Sequence, residues 1–240
     1  MRDSPAPAAP PDVSLVRWAD DVVGVLDALG ARTAVLVGHS MGAWQVEAAT
    51  RRHPDRVRAL VLFDGSVAPA EPNSAPSRAT SATGPSRGPR LASLLVSAVS
   101  ATVGWGRTGP LLRRLADRGL PRAPWRAGHR ARCAVTYAHE SVWRTMLLED
   151  SAYRRLGAEL ATLRTTHPLP AVPVTVVAAL PGWWPASWSR WGAQQGRQAA
   201  ALARTAMGPV GFHVIRPGRH HVMLQHPRQV AALVEATWRA

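Results

Sequence analysis

The sequence is poor in the features that usually declare a class. One cysteine, Cys133, stands in 240 residues, so no internal disulfide can form. A chain without covalent staples must rest on its core, and a 46% hydrophobic composition over this length supports one globular domain. A lone cysteine fits a reducing compartment and also permits secretion; a cytoplasmic location is the expectation. Lysine is absent: all 29 basic residues are arginine. The formal net charge of +14 invites a nucleic-acid reading, but the arginines are scattered. The densest spots are only the pairs Arg51-Arg52, Arg113-Arg114 and Arg154-Arg155, and no nucleic-acid motif accompanies them. The opening "MRDSPAPAAPPD" has no apolar core of a secretory signal. The longest apolar run, "LASLLVSAVSATV" at 91–103, is too short to span a bilayer. No internal repeat is visible. Nucleic-acid binding and a stable membrane span are therefore set aside.

What is present alternates in a regular way. Residues 14–29 place Leu15, Trp18, Val22, Val25, Leu26 and Leu29 at helical spacing, with Gly30 as the stop. "TAVLVG" is a short, continuous apolar strand. "MGAWQVEAATRRHP" follows as a helix ended by Pro54, and "VRALVLFD" at 57–64 as a second buried strand. Helix, strand, helix, strand with short connections is the pattern of a parallel α/β sheet flanked by helices. Residues 65–90 are rich in Pro, Ser, Ala and Gly and read as a flexible loop. Helices are expected at about 91–103, 109–118 and 130–163. "PVTVVAAL" at 173–180 restores a buried strand, 186–206 reads as a helix, 212–216 as the last strand and 227–239 as the closing helix. The expected organisation is a core made of 1–66 and 167–240, with 67–166 as a flexible loop plus a helical cap insert.

One junction carries chemistry. In "AVLVGHSMGAWQV", Ser40 lies between Gly38 and Gly42 where a strand meets a helix. A serine in such a turn is a nucleophile elbow: the backbone is strained and lifts the hydroxyl above the sheet edge. Side chains at positions 38 and 42 would be expected to collide with neighbouring backbone, which explains the glycines. The helix that starts there turns its dipole and the Met41 N–H toward any oxyanion formed at Ser40. A bare G-x-S-x-G is weak evidence, with on the order of 0.1 chance occurrences in a chain this long. The strand before it and the helix after it give it weight.

A nucleophilic serine needs a base, and the base needs an orienting group. Among nine histidines, His220 and His221 lie in a loop just past the last strand. His39, inside the elbow, reads as a local or pocket-lining residue. The acid follows by elimination. After residue 151 the only carboxylates are Glu159 and Glu235, both in helices, and the loop "PGWWPASW" contains none. Asp64 ends the strand after the elbow helix, so it should emerge at the same carboxyl edge as Ser40. The plainer alternative for Asp64 is a turn-forming residue before Gly65.

These stretches, "VLVGHSMG", "VRALVLFDGS" and "PGRHHVMLQHPRQV", resemble the α/β-hydrolase family. The resemblance covers about residue 12 to the end, apart from the cap. Counting back from Pro227 in the family's histidine loop selects His220 over His221. The order Ser, acid, His also matches. Most members carry the acid one strand later; a recognised variant carries it after the strand following the elbow, as Asp64 does. In the family about four strands precede the elbow and an early loop supplies an oxyanion donor. Here only a helix precedes Ala34, so early strands are expected to be missing and the chain to be N-terminally truncated. One oxyanion donor, the Met41 N–H, would then stand where two are expected, and losing one costs about 10²–10³ in rate.

The resemblance implies a serine hydrolase acting on an ester-like carbonyl of a small, apolar substrate, with Ser40 as nucleophile, His220 as base and Asp64 as its orienting acid. No metal, nucleotide or flavin is implied. Trp105, Trp125, Trp143, Met146, Trp183, Trp184 and Trp188 are candidates for an apolar acyl site, although core packing is the commoner role of such residues. Two other readings stay open: an inactive, truncated relative, and a membrane-surface or partner-binding protein that uses a basic, Trp-rich cap.

Overall fold

The computed structural model describes residues 13–68, 104–116, 125–182 and 190–240. The expected helix at 91–103, most of the 65–90 loop, Trp183, Trp184 and Trp188 lie outside the described residues, as does the side chain of Trp125.

Among the described residues, four strands form one sheet in the order β1 (Ala34–His39), β2 (Val57–Phe63), β3 (Val174–Ala179) and β4 (Val210–Ile215). Every neighbouring pair is parallel. The two central strands are the continuous apolar runs of the sequence and are buried on both faces, as parallel sheets require. β1 and β4 are edges among these strands, and both leave apolar side chains in solvent, Val37 and Phe212. Val61, Phe63, Val177, Ala179, Ile215 and Val222 form a core beneath the carboxyl edge, against which Val35, Val230, Leu233 and Val234 pack.

Helices α1 (Leu15–Ala28) and α2 (Gly42–Arg52) pack against each other. α1 begins with Ser14, whose hydroxyl accepts the N–H of Arg17, and ends before Gly30 at φ 64°. Its apolar stripe is narrower than expected: Leu15, Ala19 and Leu26 are buried, whereas Val25 and Leu29 face solvent. A short 3-10 helix (Pro54–Arg56) leads from α2 into β2.

The remaining helices are α3 (Trp105–Ala116), α4 (Trp125–Thr136), α5 (Glu140–Thr166), α6 (Arg190–Thr205), α7 (Val222–Gln225) and α8 (Pro227–Arg239). Two sequence expectations need correction here. The single helix expected at 130–163 is two helices separated by a turn at 137–139, and α3 starts at Trp105 rather than near 109. The reason is visible around Tyr137. Its carbonyl accepts the indole N–H of Trp143 at 2.9 Å, and a Cβ on Gly109 would lie 1.7 Å from the same oxygen. The turn thus lets α3 approach through its glycine.

By compactness the chain divides into two units. One comprises 1–72, 155–222 and 228–240, and contains the sheet with α1, α2 and α6. The other comprises 73–154 and 223–227, and contains α3, α4 and the first half of α5. Within that second unit Trp105 stacks on Trp143 with ring centroids 5.0 Å apart, and the Arg113 guanidinium lies over the Tyr137 ring. These tryptophans pack on each other, and Met146 is exposed. No helix among the described residues is long and apolar enough to cross a membrane.

Candidate active site

The site lies at the carboxyl edge of the sheet, inside the first unit. β1 and β2 run in register from Val35↔Ala59 to His39↔Phe63, so the residues that follow them, Ser40 and Asp64, leave adjacent strands at one level. Both have left-handed backbones, with φ 55° for Ser40 and 44° for Asp64. Non-glycine residues avoid that region at a cost of about 1–3 kcal/mol each. The surroundings hold both turns in place. The Ser40 N–H donates to the Phe63 carbonyl at 3.2 Å, and the Asp64 N–H donates to the Val177 carbonyl at 2.7 Å. The Ser66 N–H donates to the Ser40 carbonyl at 3.0 Å, and the buried indole of Trp44 donates to the Ser66 carbonyl at 2.6 Å.

The glycines divide differently from the expectation. A Cβ on Gly38 would lie 2.5 Å from the Gly42 carbonyl oxygen and 2.7 Å from Ala43 Cα, so position 38 admits only glycine. A Cβ on Gly42 would meet nothing within 4 Å among the described residues, which corrects the collision expected there. The second close approach belongs instead to Gly65, where a Cβ would lie 2.7 Å from that of Ala43.

His220 comes from the loop after β4. That loop is tied to β3 by the N–H groups of Leu180 and Gly218, which donate to the carbonyls of Ile215 and Leu180. His220 Nε2 lies 3.0 Å from Ser40 Oγ, and Nδ1 lies 2.8 Å from Asp64 Oδ2. In the tautomer that donates from Nδ1 to Asp64, Nε2 offers its lone pair to the Ser40 hydroxyl. The other carboxylate oxygen, Asp64 Oδ1, accepts the Ala179 N–H at 3.1 Å and the Trp191 indole N–H at 2.6 Å. Asp64 is only 3% exposed, whereas the His220 side chain is 48% exposed. Burial pushes the Asp64 carboxyl up; hydrogen bonds from His220, Trp191 and Ala179 outweigh it and hold the group below the usual carboxylate range.

The expected site residues thus converge. Ser40, His220 and Asp64 form one hydrogen-bonded chain, with His220, of the two candidate bases, between the serine and the acid. The Met41 N–H finds no acceptor among the described residues. His39 is more than a lining residue: its Nε2–H donates to the His220 carbonyl at 2.5 Å, and the two rings lie 4.5 Å apart. Burial lowers the His39 pKa below its ordinary value, which favours the neutral ring. The sequence reading missed Trp191 and Gln195, both on α6. The available signal was Gln195 itself, a polar residue on the helix face that also carries Gly192, Ala199 and Leu202.

A parallel α/β sheet with a serine on a strained strand-to-helix turn, facing a histidine and an aspartate from later strands, is the architecture of a hydrolase fold. The chain belongs to the alpha/beta hydrolase family, whose sequence profile matches residues 3–233. A curated relative, 2-hydroxymuconate semialdehyde hydrolase of Pseudomonas putida, is 50% identical over 54 residues. That match covers 22% of this chain and 19% of the relative, so about a fifth of the relative's length is spanned. Among solved structures, Cfl2 from Burkholderia cenocepacia superposes with a TM-score of 0.65 at 18% identity, over 95% of this chain and 74% of that one. A meta-cleavage product hydrolase (CumD) from Pseudomonas fluorescens gives 0.55 at 16% identity, over 98% of this chain and 75% of that one. At such identities the structural likeness speaks to the fold.

Proposed function

We propose that this protein is a serine hydrolase that transfers an acyl group from an ester-like carbonyl of a small apolar substrate to Ser40 and then to water. The observation that carries the reading is the unbroken chain Ser40 Oγ, His220, Asp64, at 3.0 and 2.8 Å, with the serine and the acid each on its own strained turn. His220 Nε2 takes the Ser40 proton as Oγ attacks the carbonyl carbon. The resulting oxyanion faces the Met41 N–H and the start of α2. Asp64 keeps Nδ1 protonated and stabilises the imidazolium. His220 then returns the proton to the leaving oxygen. Water attacks the acyl-enzyme with His220 again as base, and Ser40 is released with the acid product.

Names of relatives support hydrolysis as the reaction class. The bond cleaved is sought with a panel of esters, thioesters, lactones and carbon–carbon cleavage substrates.

The test is labelling by a fluorophosphonate, which forms a covalent adduct with a base-activated serine. The expected result is labelling of the wild type that vanishes in Ser40→Ala and in His220→Ala, with all three folded by circular dichroism. Folded wild type that does not label would overturn the reading in favour of an inactive relative.

A further inference from the structure

α6 aims two side chains, one helical turn apart, at the same two-residue turn. Trp191 Nε1–H donates to Asp64 Oδ1 at 2.6 Å, and Gln195 Nε2–H donates to the Gly65 carbonyl at 2.5 Å. Gln195 is fully buried and Trp191 is half-buried. The turn they reach is the strained one, with Asp64 at φ 44°.

A carboxylate on a single bond rotates freely unless its oxygens are held, because its last torsion has a broad, two-fold profile. Here Oδ1 is held by two donors from two elements, Ala179 at the end of β3 and Trp191 on α6. With Oδ1 fixed, Oδ2 can point only along the direction that meets His220 Nδ1. The segment after β3 carries no carboxylate of its own. What it supplies to the site is hydrogen-bond donors.

We propose that Trp191 is a positioning residue: its indole N–H fixes the rotation of the Asp64 carboxylate toward His220, while Gln195 holds the backbone of the same turn. The proposal rests on the reading of Ser40, His220 and Asp64 as a working triad. Trp191 touches no reacting atom, and it acts through Asp64.

The test uses the geometry of five-membered rings. In histidine, Nε2 sits two bonds from Cγ across the ring, where Nε1 sits in tryptophan, so Trp191→His keeps a donor in place and Trp191→Phe removes it. The second-order rate of fluorophosphonate labelling is measured at about pH 8.5, where an added imidazole is neutral. Melting temperature serves as the control. The expected result is labelling at least about tenfold slower in Trp191→Phe, and recovery to within about threefold of wild type in Trp191→His. Wild-type labelling in Trp191→Phe would overturn the proposal. So would equally slow labelling in both variants, which would assign the indole to packing. If Trp191→Phe melts below the assay temperature, Trp191→His decides alone: near-wild-type labelling sustains the donor role, and loss of labelling overturns it. Failure of the triad reading is distinct, because the wild type would then not label, or Ser40→Ala still would; either result removes this proposal with it.

Discussion

Glu47 offers the sharpest physical test of how α2, the helix that begins beside Ser40, is anchored. Its carboxylate is completely buried and held by two guanidiniums. Arg164 binds it through two nitrogens, each at 2.8 Å, and Arg51 through Nε at 2.9 Å. Arg51 also donates to the His167 carbonyl at 2.8 Å. Burial alone would raise the Glu47 pKa; the two arginines overcome that and bring it down from 4.5 to about 2. A shift of that size corresponds to roughly 3 kcal/mol of folding stability at neutral pH. Breaking a buried ion pair from one side costs about 3–5 kcal/mol, in agreement. Glu47→Gln keeps the shape and removes the charge. With a urea m-value of about 2–3 kcal/mol/M, the unfolding midpoint should fall by about 1 M at pH 7. The sign of the pH dependence follows from a depressed carboxylate. The contribution is complete above the unfolded pKa of 4.5 and is lost as pH falls toward about 2. The gap between wild type and variant should therefore be widest at pH 5–7 and narrow steadily below 4.5. A variant with the wild-type midpoint at pH 7, or a gap that is the same at pH 3 as at pH 7, would refute the reasoning.

Other expectations concern the site directly. Gly38→Ala should destabilise the fold by about 3 kcal/mol and abolish labelling, because its Cβ meets main-chain atoms that cannot give way. Gly42→Ala should be neutral or stabilising by about 0.5 kcal/mol, since the position is open and helical; equal melting temperatures for the two variants would contradict this. Asp64→Asn should slow labelling by about 10⁴ at unchanged fold, because an amide facing Nδ1 turns the imidazole to the wrong tautomer; a loss under about tenfold would show that Asp64 does not orient the base.

Much of this arrangement was legible in the order of residues, and the physical reason is locality. Strand and helix periods and the Gly30 stop are set by neighbours in sequence, so α1, β1, α2 and β2 could be read directly. Because β1 and β2 are joined by a single helix, their parallel pairing, and with it the approach of Asp64 to Ser40, followed from the connection rules. His220 was reachable as a loop residue beyond a late strand. Long-range packing was not legible. The break between α4 and α5 depends on Trp143 bonding the Tyr137 carbonyl and on Gly109 meeting it from another helix. That Gly65, rather than Gly42, meets Ala43 depends on how α2 lies against the end of β2. The burial of Glu47 needs Arg164, more than a hundred residues away. Asp64 could be singled out in sequence by elimination, with a turn former before Gly65 as the alternative, but the partners of its carboxylate could not. Only the tertiary structure brings an Ala179 N–H, a Trp191 indole and a His220 imidazole to its two oxygens, because those donors come from three separate segments that meet through the sheet order and the packing of α6 on β3 and β4.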